Sequence, residues 1–446
     1  MKQVNLLTDS PRRLFFHYLG PTIGSSMVTS IYILADTIMV GQGVGDAGLA
    51  ALTIFMPIVA SFFALGLLLG IGGGVLMSVA KGSGNESLAH KYFSTAMISA
   101  AVVSVCFAVF GAIFFDPMMY ALGADTTNIE LVRGYGLCYT VSAPLFIFSS
   151  SLQSFIRNDK SPRHAMIAVL TGSGLNILLD YLFIFVFKMG MFGASFATSI
   201  GTSITVCILV IHFFTKKNTM RFSFRFFSIK ALWEIAKCGF SSFLIECANA
   251  VLVFVFNHTL LKYIGSVGVT VYSIMSNVAV VCMSLFNGVT LAAQPIIATN
   301  HGADNHKRVL QVRHIGTITS SVIAVIIFCV GFFFPDLLIY SYVKGPTPEI
   351  LELARYALRI YFFAYLFMNF NIFFSGYFQS TLRPVAAITI QILRSLLLSS
   401  VLVSVLPMIF GADAIWYAVP ITECITFFVA MAFLFFGRFQ KTKDAK

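Results

Sequence analysis

Charge is scarce in this chain. Asp, Glu, Lys and Arg make up 11% of it, where soluble domains carry about 25%. Apolar residues make up 58% and aromatics 15%. That balance excludes a water-soluble globular fold and assigns the sequence to a bilayer. Cysteine chemistry is missing as well. Cys106, Cys138, Cys207, Cys238, Cys247, Cys282, Cys329 and Cys424 all lie in or beside apolar runs, and none forms a CxxC or Cys/His cluster. Neither a disulfide framework nor a thiolate metal site is indicated. A cleavable leader is not expected: residues 1–13 are polar, and the first apolar run carries Pro21 and Asp36 with no small-residue cleavage site after it. The net charge of +11 would suit nucleic acid if it were gathered in one place. It is not.

What the chain has instead is long apolar runs. A hydrocarbon core of ~30 Å needs ~20 apolar residues per helix. Twelve runs qualify, at about 14–41, 47–80, 92–115, 132–156, 164–187, 190–215, 238–261, 267–300, 314–335, 353–380, 384–409 and 413–437. With the N-terminus inside, the inner loops and termini hold 22 Lys and Arg. The outer ones hold six, Arg133, Lys188, Lys262, Lys344, Arg355 and Arg359. The bias orients both termini to the cytoplasm. It also removes nucleic acid as a partner, because the positive charge is spread thinly over one side of a membrane.

Laying the first half on the second reveals a repeat at an offset of about 220. Gly45-Asp46-Ala47-Gly48 meets Gly265-Ser266-Val267-Gly268. Lys81-Gly82-Ser83-Gly84-Asn85 meets His301-Gly302-Ala303-Asp304-Asn305, and Arg157–Pro162 meets Gln379–Pro384. The expected fold is an all-α integral membrane protein of twelve transmembrane helices in two six-helix lobes. Residues 1–215 form the first lobe, 216–237 a basic cytoplasmic linker, and 238–446 the second. Six helices per repeat put both copies in one orientation, related by a pseudo-two-fold axis along the membrane normal.

Ionisable groups at membrane depth are costly and mark ion or substrate pathways. Asp36 lies about five residues below the outer end of helix 1, and Asp180 about seven short of the outer end of helix 5. Asn176 is one turn below Asp180 on the same face, and Thr198 of helix 6 reaches a similar level. Two carboxylates, an amide and a hydroxyl thus make an all-oxygen constellation, suited to a hard cation or to carboxylates sharing a proton. A polar knot that only fixes helix packing is the other reading. A second set, Glu246, Arg394 and Glu423, approaches mid-depth in the second half. There a bidentate Arg394–Glu423 pair would leave Glu246 as the free acid. Pro21, Pro57, Pro144 and Pro295 fall inside helices and permit kinks, and a bend at Pro21 would act on the helix that carries Asp36.

Over nearly its whole length the chain resembles the MATE (multidrug and toxic compound extrusion) antiporters. The resemblance rests on Ala35-Asp36-Thr37 followed by Val40-Gly41 and Gly45, on Gln294-Pro295 followed by Asn300 and Gly302, and on Asn176-x-x-x-Asp180. It implies a two-lobed exporter of organic cations and drugs driven by inward H+ or Na+, with no other cofactor, working as a monomer in the plasma membrane. It also implies H+ or Na+ binding at Asp36, Asn176, Asp180 and Thr198, which match the family's first-lobe site one by one. Glu246 matches the helix-7 acid of one branch. That branch carries an Asp on helix 10, where this chain has Asn369 and Asn371, a departure that favours coupling through the first lobe. A lipid-linked saccharide flippase or metabolite exporter of the same superfamily is the alternative. A membrane enzyme is not expected, because the eight His residues mostly sit near cytoplasmic ends and build no nucleophile–base or metal constellation.

Overall fold

Inside a bilayer a helix satisfies every backbone group within its own segment, so apolar runs this long become helices. The computed structural model describes residues 4–343 and 345–443. Lys2, Lys344 and Lys446, and the side chains of Arg438, Lys441 and Lys443, counted above with the loops and termini, lie outside that description. In the first repeat the helices are α1 (Pro11–Gly43), α2 (Asp46–Gly82), α3 (Glu86–Ile113), α4 (Phe115–Ala121), α5 (Ile129–Val141), α6 (Ala143–Asn158), α7 (Pro162–Asp180) and α8 (Gly190–Ile211). In the second they are α9 (Ile229–Tyr263), α10 (Ser266–Gly302), α11 (His306–Phe333), α12 (Pro335–Tyr342), α13 (Pro348–Ser380), α14 (Pro384–Ile392), α15 (Leu398–Phe410) and α16 (Ala418–Lys443). Among the described residues eleven helices are long and apolar enough to span a membrane, and one bent pair brings the number to twelve. The chain is an all-helical, multi-pass membrane protein.

Three expectations change. The run 132–156 is broken: α5 and α6 meet at a 52° bend. Pro144 lies in the first turn of α6, where a missing N–H costs nothing, instead of kinking an unbroken helix. The seventh long helix starts at Ile229, not near 238, because Lys230, Glu234 and Lys237 recur at helical spacing and do not interrupt it. Two short helices, α4 and α12, were not foreseen. Each carries an acid that pairs with an arginine further on: Arg133 Nη2 lies 2.5 Å from Asp116 and Arg355 Nε 2.6 Å from Asp336.

The repeat is visible in the backbone. Positive φ recurs at Gly45 and Gly265, at Gly84 and Asp304, and at Lys160 and Leu382, each pair about one repeat apart. At Gly45 and Gly265 a Cβ would meet nothing within 4 Å, so the turn and not the space asks for glycine.

The chain forms two compact units, Met1–Cys247 with Gln294–Val309, and Ala248–Ala293 with Leu310–Lys446. In the first, α2 packs on α3 and α6 through small residues. Ser151 Oγ reaches the Gly66 carbonyl at 3.0 Å, and a Cβ at Gly70 would stand 2.7 Å from Ser151 Cα. Close backbone approach of this kind is how helices associate where lipid offers no hydrophobic drive. The ends of α2 and α10 cross the same way: a Cβ on Gly82 would strike the Thr299 carbonyl, and one on Gly302 the Val79 carbonyl. Just beyond, Asn300 Nδ2 donates to the Leu6 carbonyl (3.0 Å), and Arg308 holds both the Leu6 and Asp9 carbonyls. The second unit has its own core, in which Phe286, Phe362, Tyr365 and Trp416 are buried together.

Asp159, in the turn between α6 and α7, ties four segments of the first unit. Its Oδ1 accepts from Lys81 Nζ (2.5 Å) and the Thr219 hydroxyl, and its Oδ2 from His212 Nε2 (2.9 Å) and the Thr219 amide (3.0 Å). Burial alone would raise its pKa. The His212 hydrogen bond, the Lys81 ammonium and the Thr219 hydroxyl outweigh burial and hold it at about 2, below its ordinary 3.8. A carboxyl whose pKa is depressed by folding stabilises the protein above the unfolded value and loses that contribution as pH falls through the folded one. The size is about 2 kcal/mol. Asp159→Asn is therefore expected to lower the unfolding temperature at neutral pH, with the gap from the parent closing between about pH 4 and pH 2. Thermal unfolding in detergent across that window checks it, and a gap independent of pH would contradict it.

Candidate functional site

Four acids are buried among the described residues: Asp36, Asp159, Asp180 and Glu423. Two of them have donors on both oxygens, Asp159 as above and Glu423 as below. The other two face each other's field in the first unit.

The local packing explains how they are brought together. α7 lies against both α1 and α8. At the α7–α8 crossing a Cβ on Gly201 would sit 2.7 Å from the Gly172 carbonyl and 2.9 Å from Asn176 Cβ, so only glycine lets these backbones close. The approach brings Asn176 to Thr198: Asn176 Nδ2 donates to Thr198 Oγ1 at 3.2 Å, and Thr198 Oγ1 donates to the Ala194 carbonyl at 3.0 Å. Asp180 ends α7, and the chain continues as a π-helical turn, Tyr181–Val186, closed by Phe187 N on the Leu182 carbonyl (2.9 Å). Such turns release main-chain groups and are frequent at functional sites. The C-terminal end of α1 rests on that turn, since a Cβ at Gly43 would strike the Ile184 side chain.

Asp36 is 7% exposed, Thr198 5%, Asn176 2% and Asp180 0%. Thr198 spends its donor on the backbone, and Asn176 gives one N–H to Thr198 while its amide also bears on Asp180. Asp36 Oδ1, Asn176 Oδ1 and both Asp180 oxygens have no hydrogen-bond partner within 3.5 Å among the described residues, and the nearest amide to bear on Asp180 is that of Asn176. Buried acceptors normally have partners, and an unpaired buried one is costly. A group of them in one place is a site that asks for a proton or a cation. Tyr32, one turn below Asp36, and Tyr135 lie within electrostatic reach of both carboxylates. Sequence reasoning missed both, although the four-residue spacing of Tyr32 and Asp36 puts them on one face.

The second set is arranged differently. Arg394 donates to Glu423 Oε1 through Nε (3.0 Å) and Nη2 (2.8 Å), with both side chains under 5% exposed. Asn371 Nδ2 donates to Glu423 Oε2 (2.7 Å) and to the Glu423 carbonyl (2.8 Å). Arg394 stands in a second π-helical turn, Leu393–Leu397. Glu423 is thus fully engaged and has nothing left to offer a mobile ion. Glu246, on α9 and within the first compact unit, is half-buried and makes no hydrogen bond or ion pair among the described residues. Asn369 is occupied with its own helix, donating to the Tyr365 and Leu366 carbonyls. No group of three or more His, Cys, Asp or Glu that would hold a metal occurs among the described residues.

Unpaired acids inside helix bundles built from two repeats are a hallmark of secondary transporters. The MatE family profile matches the chain twice, over residues 21–182 and 238–405, and the chain belongs to that family. The two matches fall one in each half of the internal repeat. The multidrug export protein MepA of Staphylococcus haemolyticus is 25% identical over 434 residues, covering 97% of this chain and 95% of that one. MepA of Staphylococcus aureus strain MSSA476 is 23% identical over 442 residues, with coverage of 97% and 95%. Among solved structures, the outward-facing conformation of a multidrug resistance MATE family transporter of the MOP superfamily is similar with a TM-score of 0.91. It is 21% identical, with 99% of this chain and 98% of that chain covered. A MOP superfamily transporter from Pyrococcus furiosus also reaches 0.91, at 22% identity and 100% and 99% coverage. The protein is a membrane transporter and not an enzyme.

The Arg394–Glu423 pair makes a direct prediction. Breaking a buried pair by removing one partner costs about 3–5 kcal/mol, whereas replacing both by apolar groups is often neutral. Arg394→Met is expected to destabilise the protein in detergent by that order, and Arg394→Met with Glu423→Met to recover most of the loss. Thermal unfolding of the two variants decides; a double variant no better than the single one would show that the pair does not act as a unit.

Proposed function

We propose that this MATE-family multidrug efflux transporter exports organic cations in exchange for H+ or Na+ entering the cell, coupled at Asp36, Asn176, Asp180 and Thr198. The observation that carries the reading is the set of buried oxygens without donors: Asp36 Oδ1, Asn176 Oδ1 and both Asp180 oxygens. Carboxylate, amide and hydroxyl oxygens are hard ligands that suit Na+, and a proton shared by the two carboxylates relieves the same repulsion. In the second acid set Glu423 is occupied by Arg394 and Asn371, which supports coupling at Asp36 and Asp180 over coupling at Glu423. Neutralised in this way, Arg394 makes a poor cationic cavity for a lipid-linked saccharide, and the flippase reading has no observation in its favour.

In the proposed cycle residues 1–215 and 238–446, joined by 216–237, are two halves that alternate access for a monomer whose termini face the cytoplasm. Export against a gradient requires the ion and the drug to favour different conformers. Shifting such an equilibrium from 1:99 to 99:1 takes ~5.5 kcal/mol of differential binding, while the membrane potential supplies ~2.3 kcal/mol per charge per 100 mV. One charge falling through the potential does not suffice, so the ion's own gradient or its preference for one conformer adds the rest. The Tyr181–Val186 turn beside Asp180 and Pro21 on α1 are the places where ion binding would reach the helix backbone.

Asp36→Asn and Asp180→Asn are each expected to reduce export of a fluorescent organic cation from everted vesicles at least about tenfold, or 1.4 kcal/mol, with protein abundance unchanged. Parent-level export by Asp36→Asn would reject coupling at this site. Proteoliposomes with an imposed pH or Na+ gradient identify the ion, and export that persists with both gradients collapsed would reject antiport.

A further inference from the structure

The basic segment between α8 and α9, together with the first turns of α9, has a face that neither the fold nor the transport cycle uses. Its backbone is fastened to α3. Ser94 Oγ donates to the Arg221 carbonyl (3.3 Å) and accepts from the Ser223 amide (3.2 Å), and Thr95 Oγ1 donates to the Phe226 carbonyl (3.3 Å). Phe224 in the connection is 76% exposed and Trp233 at the start of α9 62%, and Arg221, Arg225 and Lys230, close to them in sequence, are exposed as well.

A connection ordered through its own backbone has no folding reason to display aromatic rings. Its level along α3 gives one. Ser94 lies two turns beyond Glu86, the first residue of α3, or ~12 Å at 1.5 Å per residue. The headgroup layer on one side of a bilayer is about 5–8 Å thick, so a segment held that far along a spanning helix reaches the lipid interface. Charge agrees: from Lys216 to Lys237 there are six Lys and Arg and a single acid, Glu234. That acid is already engaged by the Tyr92 hydroxyl at 2.5 Å.

We propose that this face docks on anionic phospholipid headgroups. The guanidinium and ammonium groups meet lipid phosphates, and the Phe224 and Trp233 rings sit at the boundary between headgroup and acyl chain, the division that basic–aromatic surfaces adopt at membranes. The inference does not depend on which side of the membrane faces the cytoplasm, nor on the coupling site.

The chain has two tryptophans, and the other, Trp416, is 1% exposed. The fluorescence difference between the parent and Trp233→Phe therefore isolates Trp233. The test reconstitutes both full-length proteins in phosphatidylcholine bilayers holding a minor share of brominated phosphatidylglycerol or, separately, brominated phosphatidylcholine. The anionic quencher is expected to quench Trp233 about threefold more than the neutral one. The preference should disappear at about 1 M salt, where the screening length falls to about 3 Å, and in an Arg221→Gln, Arg225→Gln, Lys230→Gln variant. Equal quenching by the two lipids would overturn the proposal, leaving simple immersion. Absence of quenching by either would also overturn it, leaving a face that meets water or an acidic protein segment.

Discussion

A polar atom without a partner costs several kcal/mol in hydrocarbon, and that penalty governs how this chain uses its few charges. Where structure is wanted, each buried acid is matched. Asp159 gathers Lys81, His212 and Thr219 on both its oxygens, and Glu423 gathers Arg394 and Asn371. Asp36 and Asp180 break the pattern within the same molecule. The contrast between matched and unmatched acids is what favours the proposed ion site over a polar knot.

The glycines at the helix crossings make this arrangement possible. Gly172 and Gly201 let α7 and α8 approach until Asn176 meets Thr198. Gly43 lets α1 lie on the π-helical turn that follows Asp180. Three helices are thus held close around the carboxylates, α7 and α8 by backbone contact and α1 against the Ile184 side chain, while the carboxylate oxygens have no donor within 3.5 Å. A rigid frame around an unsatisfied pair suits a site whose ligand must come and go. The same division holds at the second pair of acidic and basic groups, where Arg394 also occupies a π-helical turn but is closed by its partner.

Much of this was legible in the residues. Counting turns from the loops placed Asp36, Asn176, Asp180 and Thr198 at one depth, because a spanning helix advances at a fixed rise and its ends are marked by charge. The Arg394–Glu423 pairing followed from the cost of an isolated Arg in lipid. Other features lacked such a marker. The bend at Ser142 looks like an interior proline until the structure shows Pro144 opening a new helix. The helical start of α9 is hidden because Lys230, Glu234 and Lys237 interrupt the apolar run without interrupting the helix. The short helices α4 and α12 are too brief for a hydropathy signal, although Asp116 and Asp336 recur at the repeat spacing. The π-helical turns depend on tertiary packing and leave no pattern in the sequence.

The central claim is that the Asp36–Asp180 pair takes up the coupling ion. Infrared difference spectroscopy of the purified protein in lipid, titrated with pH and with Na+, observes buried carboxyl groups directly. A protonated-carboxyl band that disappears as Na+ is added or pH is raised, is lost in Asp36→Asn and survives in Glu246→Gln is the predicted result. A band that vanishes in Glu246→Gln and persists in Asp36→Asn would contradict the account.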